Sequence, residues 1–437
     1  MIRFLYNLFW PIGLLFFLPG YLVKMVRRGG YREKFGQRLG IYDRVLRARL
    51  AKQRSTWLHA VSVGEVNVAL KLANALRTLE ADLRCVLTTT TTTGFALACK
   101  SAPSWIEVMY TPLDYWPIMR RAFSVIDPAQ IVLVEAEIWP NLAAEAHARR
   151  VPLALVNARL SPHSERRYQR FRFFVASIFR LLDLVCVPEE EDANRWAALG
   201  VSRNRIHVTG SIKYDPDVRP KSEAVAASLW DAWAGWSSEH PVLFGGSTHR
   251  GEEEILAKVF LRLREQFPSL RLFIAPRHVE RLREIRTQLD ALRLNVTLAT
   301  EAVAHRELNT DCVLLETTGE LQRWYGIATV VFIGKSLIAY GGQNPVEPIF
   351  AGKPVVFGLH MENFAILAKA LVSKKGAIQI HDVSSLEQAI GELLRDTEAR
   401  QQLVRNAHEV LSAHRGATAR AATLIHELGS DQRRGRL

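Results

Sequence analysis

The stretch Thr56-Trp57-Leu58-His59-Ala60-Val61-Ser62-Val63-Gly64-Glu65 decides the fold. Its first seven residues predict a strand over 56–62, and Ser62, Gly64 and Glu65 then turn the chain into a helix with apolar positions Val68, Leu72, Leu76 and Leu79. Further strands are expected at 85–91, 106–110, 130–135, 153–158, 184–188 and 206–210, separated by helical patterns. The theme repeats at 241–244, 271–275, 312–315, 329–333, 354–357 and 377–381, and residues 384–427 close the chain as helix. Most of these runs are apolar throughout, the mark of parallel strands covered by helices on both faces. Between the halves, residues 211–222 carry Asp215, Pro216, Asp217 and Pro220 and few large apolar side chains, a linker composition. The expected class is therefore α/β, two doubly wound, Rossmann-like domains facing across a cleft, with ligands at the carboxyl ends of strands. Boundaries are placed at 1–29 for an N-terminal anchor, 30–212 for the first domain and 213–437 for the second.

Length and composition agree. The 437 residues, 48% hydrophobic, exclude a disordered tail protein and leave room for two buried cores. Cys85, Cys99, Cys186 and Cys312 lie far apart, with no Cys-x-x-Cys, which argues against a disulfide framework or a structural zinc site. Of the net charge of +13, a surplus of eight falls within residues 1–50. There, Phe4 to Val23 are uncharged and rich in Phe, Leu, Trp and Tyr, followed by Lys24, Arg27, Arg28, Arg32, Lys34 and Arg38. About twenty apolar residues suffice to cross a bilayer core, and the basic flank holds the body of the protein on the cytoplasmic side. Pro11, Gly13, Pro19 and Gly20 favour the alternative of a segment lying in the interface. A cleaved signal peptide is a third reading, opposed by basic residues that follow the apolar run and by the lack of an Ala-x-Ala site.

Several strand ends carry chemistry. Ser62-x-x-Glu65 is either a capping box, with Glu65 returning to the Ser62 amide, or the setting of a carboxylate base. Glu135-Ala136-Glu137-Ile138-Trp139-Pro140-Asn141 places two acids after a buried strand; one of them caps the helix starting near Pro140, or Glu137 faces the same cleft as Glu65. Gly341-Gly342-Gln343-Asn344-Pro345-Val346-Glu347 reads as a helix start with Asn344 as cap, Pro345 first and Glu347 third, suited to a phosphate at its amides and to sugar hydroxyls at Glu347. Thr317-Thr318-Gly319-Glu320 and Gly245-Gly246-Ser247-Thr248-His249 repeat the strand, glycine, helix shape. Three such ends in one domain point to a nucleotide. Pro276-Arg277-His278 offers a guanidinium for a phosphate, or a surface ion pair. The Asp215-x-Asp217 pair lies in the linker and reads as turn chemistry; no metal and no cofactor is implied. The six threonines at 88–93 read as a strand end running into a turn. Arg166, Arg167, Arg170, Arg172 and Arg180 alternate with Tyr168, Phe171, Phe173, Phe174 and Phe179, a solvated amphipathic helix or one that meets anionic headgroups.

Seven of these segments, His59–Glu65, Glu135–Asn141, Asn157-Ala158-Arg159-Leu160-Ser161, Gly210-Ser211-Ile212-Lys213-Tyr214-Asp215, Ser247-Thr248-His249-Arg250-Gly251-Glu252-Glu253, Pro276-Arg277-His278 and Gly341–Glu347, together resemble the 3-deoxy-D-manno-octulosonic acid (Kdo) transferases of Gram-negative bacteria. The resemblance runs along nearly the whole chain, the N-terminal segment included. It implies a fold of the glycosyltransferase B type, an acceptor-binding first domain and a CMP-Kdo-binding second domain. It further implies transfer of Kdo from CMP-Kdo to lipid IVA at the cytoplasmic face of the inner membrane. By that resemblance Glu65 is the catalytic base; Glu137, facing the same cleft, is expected to help position the acceptor or the base. The CMP contacts are Pro276, Arg277, Thr318, Gly319, Glu320, Asn344, Pro345, Val346 and Glu347. Two departures stand out: Ala136 where Thr is common, and Lys335 where a glycine often precedes Ser336. Arg166, Arg167, Arg170 and Arg172 become candidate contacts for an anionic lipid. Two rivals remain at this level. A UDP-sugar transferase or epimerase shares the architecture; a membrane-anchored nucleic-acid-binding protein explains the basicity but leaves the glycine-bearing strand ends without a purpose.

Overall fold

The computed structural model describes residues 3–10, 34–51, 54–136, 138–160, 162–215, 239–304, 310–316 and 321–434. The chain forms two units, residues 1–215 with 414–437, and residues 216–413. In the first, β1 (Ser55–Ala60), β2 (Cys85–Thr89), β3 (Ile106–Tyr110), β4 (Pro128–Val134), β5 (Leu153–Val156), β6 (Leu184–Val187) and β7 (Ile206–Val208) form one sheet in the order β3-β2-β1-β4-β5-β6-β7. Its pairings are parallel, with Trp57 beside Val86 and Ile131. The unbroken apolar runs have a simple cause. Trp57, Ile131 and Leu133 belong to one core, while Leu58, Val132 and Val134, one residue away in each case, belong to another on the opposite face.

The helix Val63–Leu79 covers the second of these faces, burying Val66, Val68, Leu72 and Leu76. Leu72 is fully buried, a contribution of about 2 kcal/mol. Leu79, expected on the same face, is instead 45% exposed, at the last residue of the helix. Beside this helix lies the last one, Ala417–Arg434, whose small Ala421 and Ala422 and larger Ile425 complete the core. Residues 414–437 thus belong with the first unit, whereas the sequence reading left everything from 213 onward in the second. An amphipathic pattern says that a helix covers a sheet, and does not say which.

The second unit repeats the plan with β8 (Val242–Thr248), β9 (Arg271–Pro276), β10 (Val296–Leu298), β11 (Cys312–Leu314), β12 (Val330–Ile333), β13 (Val355–Phe357) and β14 (Ile378–Gln379), ordered β10-β11-β9-β8-β12-β13-β14. The helix Glu252–Arg264 packs Leu256, Phe260 and Leu263 against Leu243, Leu272 and Ile274. The strand order turns back between β1 and β4 in the first sheet and between β8 and β12 in the second, where β11 is also inserted between β9 and β10. Those reversals are the topological switch points at which ligands of doubly wound folds bind.

The expected anchor over 4–23 falls mostly outside the described residues. Residues 3–10 are helical and docked on the first unit: Arg3 Nε donates to Asn141 Oδ1 at 3.0 Å, and Asn7 exchanges amide hydrogen bonds with Asn141 at 2.9 and 3.0 Å. Trp10 stacks on Tyr115 with ring centroids 5.0 Å apart. The other side of this helix leaves Phe4, Leu8 and Phe9 exposed. Among the described residues no helix is long and apolar enough to cross a membrane. Of the basic flank, Arg38 is buried, with its guanidinium on the Thr90 carbonyl and over the Tyr110 ring, and so does not face lipid.

Candidate active site

At the first switch point, the Ser62 hydroxyl accepts from the Glu65 amide and caps the helix. The Glu65 carboxylate turns back over the strand end, where the Ser62 amide is one of the donors that favour its charged form. Its Oε2 accepts from the Val61 amide and its Oε1 from the Ser62 hydroxyl, both at 2.8 Å. Val61 is itself gripped: its carbonyl accepts from the hydroxyls of Thr89 and Thr91 at 3.4 and 3.1 Å. The threonine run, which carried no message as sequence, therefore fixes the backbone that holds Glu65. Burial pushes the Glu65 carboxyl up, against the opposing pull of the Val61 amide and the Ser62 hydroxyl. A carboxylate has about four acceptor sites, so two bonds leave capacity to take a proton.

On β1 lies His59, fully buried and pushed down to about 4 by desolvation. Its Nε2 accepts from the Trp139 indole at 3.2 Å, so the proton sits on Nδ1, facing Thr88 Oγ1 at 3.1 Å and Thr111 Oγ1 at 3.3 Å. This network ties β1 to the segment after β4. Glu137 itself lies outside the described residues. At the start of the helix Pro140–Ala148, Asp114 accepts from the amides of Asn141 and Leu142 at 3.0 and 2.9 Å. Burial raises Asp114 to about 6.

Past the ends of β4, β5 and β7 sits a group that sequence reasoning left without a role. Lys213 is largely buried, which lowers its ammonium, while the Glu135 carboxylate raises it and the Arg159 guanidinium lowers it further. Arg159 Nη1 lies 3.5 Å from the Tyr214 hydroxyl, and Glu135 holds a left-handed φ of 63°. The signal was present, since Glu135, Arg159, Lys213 and Tyr214 all stand within segments that carried the family resemblance.

At the second switch point, buried Pro276 ends β9 and the Arg277 amide bonds the Thr248 carbonyl at 3.0 Å, leaving the guanidinium exposed. The rings of His249 and His278 meet edge to face at 5.6 Å. The His249 imidazole is lowered first by burial and then by the charges of Lys335, His278 and Arg277. The Gly342 amide bonds the Lys335 carbonyl at 2.9 Å, which brings the Asn344–Glu347 segment to the end of β12. There Asn344 Oδ1 accepts from the Val346 amide at 3.0 Å, and its Nδ2 donates to Glu347 Oε1 at 3.1 Å. The helix that follows, Val346–Phe350, has five residues, too few for an appreciable dipole. Gly246 has a packing constraint: a Cβ there would stand 2.8 Å from the Tyr325 hydroxyl. Thr318, Gly319 and Glu320 lie outside the described residues.

Arg166, Arg167, Arg170 and Arg172 are exposed on the helices Pro162–Arg170 and Arg172–Phe179, beside Phe171, Phe173 and Phe174 at 49%, 74% and 46% exposure.

The family model for 3-deoxy-D-manno-octulosonic-acid transferase (kdotransferase) matches residues 33–216. The 3-deoxy-D-manno-octulosonic acid transferase of Haemophilus influenzae is 31% identical over 401 residues, which is 92% of this chain and 92% of that protein. Among solved structures, the glycosyltransferase of kitacinnamycin aligns over 86% of this chain and 99% of its own, with a TM-score of 0.52 at 14% identity. A putative UDP-N-acetylglucosamine 2-epimerase from Listeria monocytogenes aligns over 85% and 96%, with a TM-score of 0.55 at 13% identity. Identities that low speak to the fold alone, a glycosyltransferase-B-like pair of parallel α/β units, and that fold serves a transferase and an epimerase equally. The choice between them rests on a sequence relative that covers 92% of the chain at 31% identity: this protein belongs to the 3-deoxy-D-manno-octulosonic acid (Kdo) transferase family of glycosyltransferases.

Proposed function

We propose that the protein transfers Kdo from CMP-Kdo to lipid IVA by a single inverting displacement at the cytoplasmic face of the inner membrane. The observation that carries the reading is Glu65, a carboxyl 6% exposed at the β1/β4 switch point, raised by burial and braced through Val61. An acceptor hydroxyl beside it gives its proton to Glu65 as the oxygen bonds to the anomeric carbon of Kdo. The bond from that carbon to the phosphate oxygen breaks, and CMP leaves with the electron pair. Glu137 assists Glu65. Arg277 neutralises the phosphate charge as it develops; Pro276, Thr318, Gly319, Glu320, Asn344, Pro345, Val346 and Glu347 complete the nucleotide site. Glu135, Arg159 and Lys213 add charges at the acceptor side.

Attachment to the membrane has support in two surfaces that share one support, the helix Pro140–Ala148. Residues 3–10 dock on its Asn141 and turn Phe4, Leu8 and Phe9 outward; the helix Arg172–Phe179 packs on it and turns Phe173 and Phe174 outward. With Arg166, Arg167, Arg170 and Arg172 also exposed, these suit contact with an anionic leaflet.

The test is direct. Purified full-length protein, lipid IVA and a CMP-Kdo supply should give a product heavier by one or more Kdo residues, with release of CMP. Thermal stabilisation by CMP and not by UDP or UMP should accompany it. Unchanged lipid IVA, or stabilisation by UDP alone, overturns the reading.

A further inference from the structure

We propose that Lys335 is a donor-binding residue, its ammonium taking an anionic oxygen of the activated sugar acid; this rests on the donor site proposed above. Lys335 stands two residues beyond β12, at the β8/β12 switch point. Its φ is +58°, a left-handed conformation that L side chains rarely adopt and that glycine takes freely. The backbone is locked there. The Lys335 amide donates to Glu252 Oε2 at 2.7 Å, and its carbonyl accepts from the Gly342 amide at 2.9 Å. With the backbone fixed, the side chain runs to Gly341, where an added Cβ would come within 3.3 Å of the ammonium. A lysine in a glycine's conformation, beside a glycine that makes room for it, is a placed charge.

That charge has no carboxylate partner among the described residues. The carboxylates that touch this part of the fold are engaged elsewhere. Glu252 accepts from the amides of His249, Lys335, Ser336 and Leu337, and Glu362 from the Gly341 amide at 2.6 Å while meeting His360 at 3.3 Å. Arg277, whose guanidinium also lacks a partner among the described residues, acts with Lys335 on the His249 ring. Two half-free cations sharing one strand-end surface attract an anion with more than one charged group. A nucleotide-linked sugar acid has two, the phosphate and the sugar carboxylate.

Lys335→Gly separates binding from folding, because glycine relieves the left-handed backbone. The variant should keep or raise its melting temperature and raise the Michaelis constant for CMP-Kdo about tenfold or more, with little change in kcat. Lys335→Arg should keep most of the affinity. Calorimetry with CMP alone identifies the anion: weakened CMP binding assigns the phosphate, and unchanged CMP binding with a raised donor constant assigns the carboxylate. A donor constant within about twofold of the parent in Lys335→Gly overturns the proposal. Failure of the Kdo reading looks different, since the parent protein would then bind UDP in place of CMP and Lys335→Gly would weaken UDP.

Discussion

Trp139 Nε1 donates to His59 Nε2 at 3.2 Å, and this one bond fixes the tautomer of a fully buried imidazole while fastening the segment after β4 to β1. Protonating His59 would replace the acceptor with a donor and break the bond. The folded ring is held down at about 4, whereas an unfolded histidine titrates near 6.5. As pH falls below about 6.5 the unfolded chain gains a proton that the folded chain refuses, so stability is lost from there down toward about 4. Chemical denaturation at about pH 7 and about pH 5 should show the parent losing about 2 kcal/mol through this group, and His59→Gln losing correspondingly less. Equal losses in the two proteins would show that His59 is not neutral in the fold.

Glu65→Gln should preserve the fold and remove the base. The amide oxygen still accepts from Val61, and its NH2 meets a Ser62 hydroxyl that can accept. Loss of general-base catalysis lowers kcat by about 10² to 10⁴. In the parent, activity should rise with pH through a carboxyl raised above its ordinary range, because only the ionised form takes the proton. That limb should vanish from the pH profile of the variant, measured with both substrates saturating. A variant turning over at the parental rate removes Glu65 from the chemistry.

Strands such as Trp57–Ala60 and Ile131–Val134 were legible because burial on both faces writes itself as an unbroken apolar run. Val296-Thr297-Leu298, the β10 strand, was not, since three residues around a threonine make no periodic signal. The position of Glu65 was legible from its turn chemistry, but its bracing was not: Thr89 and Thr91 reach Val61 across the sheet, and Asp114 caps a helix 27 residues further on. Such contacts depend on which strands become neighbours, and local pattern carries no record of that. Lys335 could be seen to depart from the family pattern, yet its left-handed backbone became visible only with the fold.

Asp215, expected to do no more than shape a turn, caps the last helix from across the chain. Its Oδ1 accepts from the Gly416 amide at 2.7 Å and its Oδ2 from the Thr418 amide at 2.8 Å. The Lys71 ammonium takes its carbonyl. Asp215→Ala strips the helix Ala417–Arg434 of this cap and should destabilise the first unit by about 2 kcal/mol. Amide hydrogen exchange should quicken at Gly416 and Thr418 ahead of the sheet. Unchanged protection at those two amides would mean that the cap contributes nothing in solution.

Replacing Arg166, Arg167, Arg170 and Arg172 together by Ser should leave folding intact, since all four are exposed. Each Arg near an anionic surface is worth about 1 kcal/mol, so partition onto vesicles containing phosphatidylglycerol should fall by about two to three orders of magnitude. Added salt should weaken the parent far more than the variant. Binding to neutral vesicles, which depends on exposed groups such as Phe173 and Phe9, should change little. Unaltered binding to the anionic vesicles would rule this surface out.

Glu252 holds the loop after β12 in place by a different means from the one that holds Glu65. Its carboxylate is 1% exposed and accepts from four amides, those of His249 at 2.8 Å and of Lys335, Ser336 and Leu337 at 2.7, 3.1 and 3.2 Å. Four converging N–H groups without an acceptor form a concentration of positive partial charge that the protein cannot bury at low cost. Glu252→Ala leaves them in that state and should destabilise the second unit by about 3 to 5 kcal/mol. Glu252→Gln restores one acceptor oxygen but sets an NH2 group against the remaining donors, and should recover less than half of the loss. Because Lys335 takes its backbone conformation from this carboxylate, the Gln variant should also bind CMP-Kdo more weakly than its remaining stability explains, read as a raised donor Michaelis constant at a temperature where it is fully folded. A Gln variant of parental stability would show that the four amides find another acceptor, and that Glu252 does not organise the loop.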